Sequence, residues 1–124
     1  AKRIGISKSP CQARFKKLVN NGFILGFRAI LNSKKLEMEH IAFAQVKLLN
    51  TTKIALNSFN SEVQKIPEIE QCHMIAGSFD YLLKVRTKNI DAYRHILGET
   101  ISALPYVAST STFVCMEAVK DVGL

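Results

Sequence analysis

Residues 69–86, IEQCHMIAGSFDYLLKVR, decide the fold because they join two apolar segments through a chain reversal. Ile69–Ala76 and Tyr81–Arg86 each read as a strand, and Gly77-Ser78 supplies the residues of the turn between them. Asp80 follows that turn and is a lone carboxylate at the start of the second strand. The stretch predicts a β-hairpin, and Asp80 is either part of its turn or a partner for a positively charged group.

The two strands of this hairpin belong to two similar halves of the chain. The first half begins with an alternating strand, Ile41–Asn50, followed by a helix over residues 53–66. The second half continues with a helix over residues 90–104 and ends in a long alternating strand, Val107–Ala118. The chain from residue 41 onward therefore has the order β-α-β, turn, β-α-β.

Both predicted helices have a recognisable start and stop. Thr52 and Asn89 are placed to cap their first turns, and Pro67 and Pro105 end them. Their apolar residues recur at helical spacing: Leu56, Phe59, Val63 and Ile66 in the first, and Tyr93, Ile96, Leu97, Ile101 and Leu104 in the second.

This order of elements predicts an α+β fold of ferredoxin-like βαββαβ type. Right-handed crossovers would give a four-stranded antiparallel sheet with both helices on one face. The other face would include Phe43, Gln45, Ile75 and Phe113. Its apolar content favours a dimer in which two sheets pack face to face.

The charges of the chain are divided unevenly. The net charge is +7, but residues 1–35 contain nine Lys or Arg and no acidic residue, whereas residues 36–124 contain eight basic and ten acidic residues. Such a division favours an N-terminal part that faces a polyanion such as nucleic acid, over a merely solvated basic end.

Residues 7–23, SKSPCQARFKKLVNNGF, predict a capped amphipathic helix. Ser9 is its N-cap, Pro10 occupies the first position, Gln12 closes a capping box, and Asn21-Gly22 ends it. With a preceding glycine-containing turn, this pattern is typical of the second helix of a helix-turn-helix. Since the chain opens inside an element and without methionine, we expect the first helix to be missing by truncation.

The remaining composition narrows the classes of protein. No apolar run could span a membrane and no leader opens the chain, and three scattered cysteines fit a reducing, cytoplasmic setting. No catalytic or metal-binding motif is present, so we predict neither an enzyme, a metal site nor a cofactor. Cys72 and His73 are adjacent on a strand and would point to opposite faces. His40 falls in a linker, and His95 lies away from the core stripe of its helix.

Two stretches carry a resemblance to a known family. SPCQARFKKLVNNGFI resembles the end of the helix-turn-helix of the Lrp/AsnC (feast/famine) transcriptional regulators, and residues 66–120 resemble their amino-acid-sensing (RAM) domain, closest to the leucine-responsive branch. The resemblance implies three parts: residues 1–23 of the DNA-binding domain, a linker 24–40 with a strand at Ile24–Leu31, and a RAM domain 41–124.

What the resemblance implies for function is a regulator that binds double-stranded DNA as a dimer, assembles further to an octamer, and binds an amino acid between RAM domains. The positions matching the reading helix are Lys8, Ser9, Gln12, Ala13, Lys16 and Lys17. Those matching the effector-responsive residues are Asp80, Ile90, Phe113, Val114 and Cys115, and the backbone of Gly77 and Ser78 completes the proposed site.

An amino acid suits such a site chemically. Asp80 could pair with its ammonium group, and backbone N–H groups at the glycine turn could donate hydrogen bonds to its carboxylate, with apolar neighbours selecting the side chain. Leucine or another apolar amino acid is the expected effector. The alternative is a stand-alone amino-acid-binding or assembly module without DNA binding. A small enzyme, such as the acylphosphatases of similar fold, is disfavoured because their glycine-rich anion loop has no counterpart.

Overall fold

The computed structural model describes residues 10–122, and the chain divides into two compact units, residues 1–31 and 32–124. The helix α1 (Pro10–Asn20) lies in the first unit. Its predicted N-cap, Ser9, lies outside the described residues, as does Lys8. Its predicted end is confirmed, because Gly22 adopts a positive φ of 80° that glycine tolerates at low cost.

The second unit contains a four-stranded antiparallel sheet with the strand order β2-β3-β1-β4. The strands are β1 (His40–Leu48), β2 (Ile69–Met74), β3 (Tyr81–Thr87) and β4 (Val107–Val114). The helix α2 (Lys53–Val63) connects β1 to β2, and α3 (Ile90–Ile96), followed by a π-helical turn (Leu97–Ile101), connects β3 to β4. The predicted α+β, ferredoxin-like arrangement is confirmed.

The core lies between one face of this sheet and the helices. Alternate residues of β1, from Ala42 to Leu48, are buried against Phe59 of α2 and Tyr93 of α3. Thr52 caps α2 and Asn89 caps α3, each by accepting a hydrogen bond from the backbone N–H three residues later. Both predicted caps are therefore confirmed.

The π-helical turn explains how the second predicted helix keeps one apolar face over its whole length. Ser102 N–H donates to the Leu97 carbonyl at 2.9 Å, which closes a turn with one extra residue. In a regular α-helix, residues eight apart point about 80° away from each other. The wider turn reduces that angle, so that Tyr93 and Ile101 are both buried in the same core.

The face without helices, here called the open face, carries alternate residues of every strand. Phe43 lies opposite Phe113 on β4 and opposite Lys84 on β3. Gln45 lies opposite Leu82. The predicted positions of Phe43, Gln45 and Phe113 on this face are therefore correct.

Several boundaries differ from the prediction. Ile24–Leu31 forms no strand, because its backbone finds no partner strand among residues 10–122. β4 ends at Val114, its last residue in register with β1, rather than at residue 118. α2 ends at Val63, before Pro67. Ile75 follows the end of β2, and His40 is the first residue of β1 instead of a linker residue.

None of the helices between residues 10 and 122 has the length and apolar character that crossing a bilayer would need. Over the same residues, no three His, Cys, Asp or Glu side chains come together as metal ligands would.

Candidate functional site

The predicted DNA-contacting side chains of α1 lie on its solvent-exposed surface. Gln12, Ala13, Lys16 and Lys17 are all exposed. On the other side of the helix the ring of Phe15 stacks on that of Phe27, with 5.4 Å between their centroids. The helix therefore presents basic and amide groups outward while its apolar side begins a small cluster.

The end of α1 is fixed by a double hydrogen bond. Gly22 N–H donates to the Val19 carbonyl at 3.1 Å, and Phe23 N–H donates to the Leu18 carbonyl at 2.9 Å. This is the Schellman motif, in which a residue with positive φ satisfies the last carbonyls of a helix. The predicted basic surface is thus carried by a helix with a defined length.

The predicted effector residues fall into two groups. The first, here called the hairpin end, consists of Gly77, Ser78 and Asp80 in the connection between β2 and β3. Gly77 has no positive φ, and a Cβ added there would meet only the Ile75 Cγ2 at 3.8 Å, an ordinary contact. Neither backbone conformation nor packing within the described chain requires glycine at this position.

Asp80 has a structural role that the sequence did not indicate. Its Oδ2 accepts a hydrogen bond from Leu48 N–H at 2.7 Å, and its own N–H donates to the Val46 carbonyl at 2.9 Å. The side chain thereby satisfies the last donor of β1, close to the register shift between β1 and β4 at Lys47/Leu48. The half-buried carboxyl has no hydrogen bond to its Oδ1 within residues 10–122.

The second group, here called the helix end, consists of Ile90, Phe113, Val114 and Cys115. Ile90 is the first residue of α3 and is 44% exposed, and Phe113 and Val114 are about as exposed at the end of β4. Tyr93, one turn after Ile90, reaches β4 through a 2.7 Å hydrogen bond between its hydroxyl and that of Thr112.

Val114 and Phe113 point to opposite faces, because side chains alternate along a strand. Val114 shares the helix-covered face with Thr112, whereas Phe113 lies on the open face opposite Phe43. Cys115 is half-buried, and its N–H donates to the Ile41 carbonyl at 2.9 Å. The helix end is therefore an apolar surface at the end of β4, with Phe113 on the open face and Val114 on the helix-covered face.

The hairpin end and the helix end lie at opposite ends of β3. The seven residues of β3 run from Tyr81, next to Asp80, to Thr87, just before α3. A strand rises about 3.3 Å per residue, so roughly 20 Å separates the two ends. Val114 is in register with Ala42, which pairs with Val85 near the far end of β3. Within one chain, the residues of the hairpin end and those of the helix end do not form one pocket for a molecule of amino-acid size.

A charged network on the open face was not predicted. Lys84 is 8% exposed, and its Nζ lies 2.8 Å from Asp121 Oδ2 and 3.6 Å from Glu70 Oε1. Glu70 also pairs with Arg86, whose guanidinium donates to the Met38 carbonyl at 3.0 Å. The hydrogen bond from Lys84 lowers the pKa of the Asp121 carboxyl below its ordinary value. Lys84 and Asp121 are 37 residues apart, so no local pattern could have connected them.

The three histidines occupy different environments. His73 and Cys72 face opposite sides of β2, as predicted, and His95 is exposed beside Glu99 at 3.2 Å. His40 packs near the ring of Tyr93, and its Nε2 is buried without a hydrogen-bond partner in the described structure. The sequence pattern started β1 one residue later, at Ile41, and therefore left His40 outside the strand.

An open groove of about 810 Å³ lies between α2 and the π-helical turn. Its lining includes Ser61, Glu62 and Thr100, and none of the predicted DNA-contacting or effector residues contributes to it. The groove is therefore separate from both ends of the candidate effector site.

Sequence comparison identifies both parts of the chain. Residues 41–123 match the Lrp/AsnC ligand-binding domain, and residues 1–24 match a winged helix-turn-helix DNA-binding domain. A proline dehydrogenase transcriptional activator of Rhizobium radiobacter is 61% identical over 124 residues, which cover 100% of this chain and 80% of the relative. A leucine-responsive regulatory protein of Klebsiella pneumoniae is 44% identical over 121 residues, covering 98% of this chain and 74% of the relative.

Solved structures agree with these matches. A transcriptional regulator from Neisseria meningitidis in complex with L-methionine has a TM-score of 0.83 and 26% identity, covering 91% of this chain and 73% of that one. An AsnC-family regulator from Agrobacterium tumefaciens has the same TM-score and identity, covering 94% and 76%. The relatives named here are transcriptional regulators. With a DNA-binding match before a ligand-binding domain, the chain belongs to the Lrp/AsnC family of DNA-binding transcriptional regulators.

Proposed function

We propose that this regulator responds to an apolar amino acid that binds between two chains, where the hairpin end of one chain meets the helix end of another. The single observation that carries this proposal is the separation of the two ends along β3. One chain offers the polar groups at one end and the apolar groups at the other, so a ligand that needs both must draw them from two chains.

The hairpin end supplies the polar half of the proposed site. Asp80 keeps Oδ1 available after Oδ2 has accepted from Leu48, so it can pair with an ammonium group while still holding β1. Gly77 leaves its backbone N–H accessible to a carboxylate, and its lack of a side chain has no explanation in the fold. These two features support recognition of the α-amino and α-carboxyl groups.

The helix end supplies the apolar half. Ile90 and Val114 are exposed aliphatic residues, and Phe113 and Cys115 adjoin them. Such a surface favours a side chain without charge. Leucine is the candidate from the family branch, methionine is bound by the Neisseria regulator, and proline is suggested by the relative named as an activator of proline dehydrogenase.

For DNA, we propose that the exposed surface of α1 enters the major groove. Gln12 and Ala13 would face base edges, and Lys16 and Lys17 would reach phosphates. Lys8 and Ser9 precede the described part of the helix and are proposed contacts from the sequence alone. The salt dependence of binding to double-stranded DNA would weaken when Lys16 and Lys17 are replaced by Gln.

For assembly, we propose a dimer in which the open faces of two sheets pack together, and further association of such dimers, up to an octamer. Phe43 and Phe113 lie in register on that face, and Phe113 is 54% exposed. Dimers that associate further bring the ends of different sheets into contact, which is the arrangement that the proposed effector site needs.

The proposed site is tested first by Asp80→Asn. Asparagine retains an oxygen that can accept the hydrogen bond from Leu48 but removes the negative charge, so the fold should persist. We expect the parent chain to show a rise in unfolding temperature with at least one of the twenty amino acids, and the variant to lose it. Asp80→Ala should also lower the free energy of unfolding by about 1–3 kcal/mol, because Leu48 N–H would be unsatisfied.

Mixing two variants tests whether the site is shared. Asp80→Asn disables the hairpin end and Ile90→Asp disables the helix end, and each alone should fail to respond. When the two are unfolded and refolded together, some sites receive an intact end from each variant and the response should return. If the mixture remains unresponsive although it forms mixed oligomers, the two ends do not form one site between chains.

A further inference from the structure

The segment after β4, Cys115–Val122, crosses the open face of its own chain. It leaves the edge of the sheet at Cys115, whose N–H is bonded to Ile41 on the adjacent strand. It then reaches Lys84 on β3, where the Asp121 carboxylate binds the Lys84 ammonium at 2.8 Å. The segment thus extends from β4 past β1 to β3, a distance of roughly two strand spacings of about 4.8 Å each.

The residues beneath this crossing are more covered than the rest of the open face. Ile41 and Lys84 are each 8% exposed, although both belong to the face that no helix covers. They are diagonal neighbours, because Ile41 lies opposite Arg86 and Phe43 lies opposite Lys84. By contrast, Phe113 on the same face is more than half exposed. The covered part of the open face is therefore limited to residues along the path of the segment toward Asp121.

Charge, and not apolar packing, holds the segment in place. Its apolar side chains Met116, Val119 and Val122 are 99%, 86% and 83% exposed. Lys84 needs a partner because a nearly buried ammonium is costly when unpaired, and its other carboxylate, Glu70, is farther away and shared with Arg86. When the Asp121 carboxylate leaves, Glu70 remains beside the Lys84 ammonium, so the segment can be released without leaving that charge unpaired.

We propose that Cys115–Val122 is a releasable strap on the open face, and that a second copy of this chain competes with the strap for that face. The proposal rests on the sheet-to-sheet dimer proposed above. Sheets that pack face to face lie about 10 Å apart and fill that space with interdigitated side chains. A main chain crossing at Ile41 and Lys84 occupies the same layer, so the strap must leave this position when the second sheet arrives.

The strap is tested by Asp121→Asn, which removes the ion pair to Asp121 but leaves Glu70 beside Lys84, so the chain should still fold. We expect the dimer of this variant to have a dissociation constant about fivefold lower than that of the parent chain, the effect of losing one competing ion pair. Sedimentation velocity over a concentration series measures it. The matched control Glu117→Gln removes a carboxylate from the same segment without breaking an ion pair and should leave the constant unchanged.

The outcomes separate the strap from the dimer on which it rests. Phe113→Asp places a charge on the open face and should weaken the dimer strongly. If it does so while Asp121→Asn leaves the dissociation constant unchanged or raises it, the sheet-to-sheet dimer stands and the strap is overturned. If Phe113→Asp leaves the dimer intact, the second copy lies elsewhere, and the proposed dimer and the competition both fall.

Discussion

The two carboxylate oxygens of Asp80 differ in their hydrogen bonding. One carboxylate oxygen completes the hydrogen bonding of β1 at Leu48, and the other has no partner within residues 10–122. The sequence singled out this residue because a carboxylate beside a turn is conspicuous in a basic chain. It could not reveal the bond to Leu48, since the two residues are 32 positions apart and meet only in the folded sheet.

Cys72 shows how burial controls the chemistry of a single thiol. Desolvation raises the pKa of Cys72 to about 11, and its neighbour Tyr81 also has a raised pKa for the same reason. Because the unfolded thiol loses its proton at lower pH than the native one, this group lowers the free energy of unfolding as pH rises from 9.0 toward about 11.

We expect Cys72 to react slowly with disulfide reagents near about pH 8, where little thiolate is present. The measurement uses the variant Cys11→Ser/Cys115→Ser, in which Cys72 remains, and its rate should increase up to about pH 11. Cys72→Ser/Cys115→Ser retains the exposed Cys11 and serves as the fast control. Equal rates in the two variants would show that Cys72 is not protected by burial.

At the scale of the elements, the sequence predicted structure best where a hydrogen-bond donor and its acceptor are close together in the sequence. Thr52 and Asn89 were recognised as caps because their partners are three residues away. No strand forms at Ile24–Leu31 within this chain, because a strand needs a partner that the sequence pattern does not specify. The π-helical turn was missed for a related reason, since a helix-period pattern does not distinguish one extra residue in a turn.

The cap of α3 gives a direct test at this scale. Asn89→Ala removes the acceptor for Ala92 N–H and should lower the free energy of unfolding by about 0.5–2 kcal/mol. Denaturant titration followed by circular dichroism measures the change. The same substitution at Asn57, exposed within α2, should be neutral or slightly stabilising because alanine favours the helix interior. Comparable losses at both positions would contradict the capping role.

At the scale of the whole molecule, the excess of positive charge and the buried core lie in different parts of the sequence. The N-terminal 35 residues carry nine basic residues, whereas the buried core lies within residues 42–104. The sequence anticipated this division and the topology of the second unit, because both follow from composition and from the order of elements. It did not anticipate that the predicted effector residues lie at two ends of the sheet, since residues assigned to one site can still be far apart along a strand.

The division predicts that residues 32–124 fold without the first unit. None of the described residues 10–31 belongs to the core of the sheet and helices, so the fragment should show a cooperative thermal transition near that of the whole chain. Circular dichroism at the two wavelengths typical of helix and of aromatic packing would follow it. A fragment without a cooperative transition would mean that the first unit is needed to complete the second.

The π-helical turn also has a consequence for how the gene can change. An α-helix that lost one residue between Tyr93 and Ile101 would bring the remaining seven-residue spacing to within about 20° of a common face. A single-codon deletion within residues 98–100 would then convert the wide turn to a regular one and keep both side chains in the core. This segment is therefore a place where related genes can differ in length by one codon and still encode the same fold.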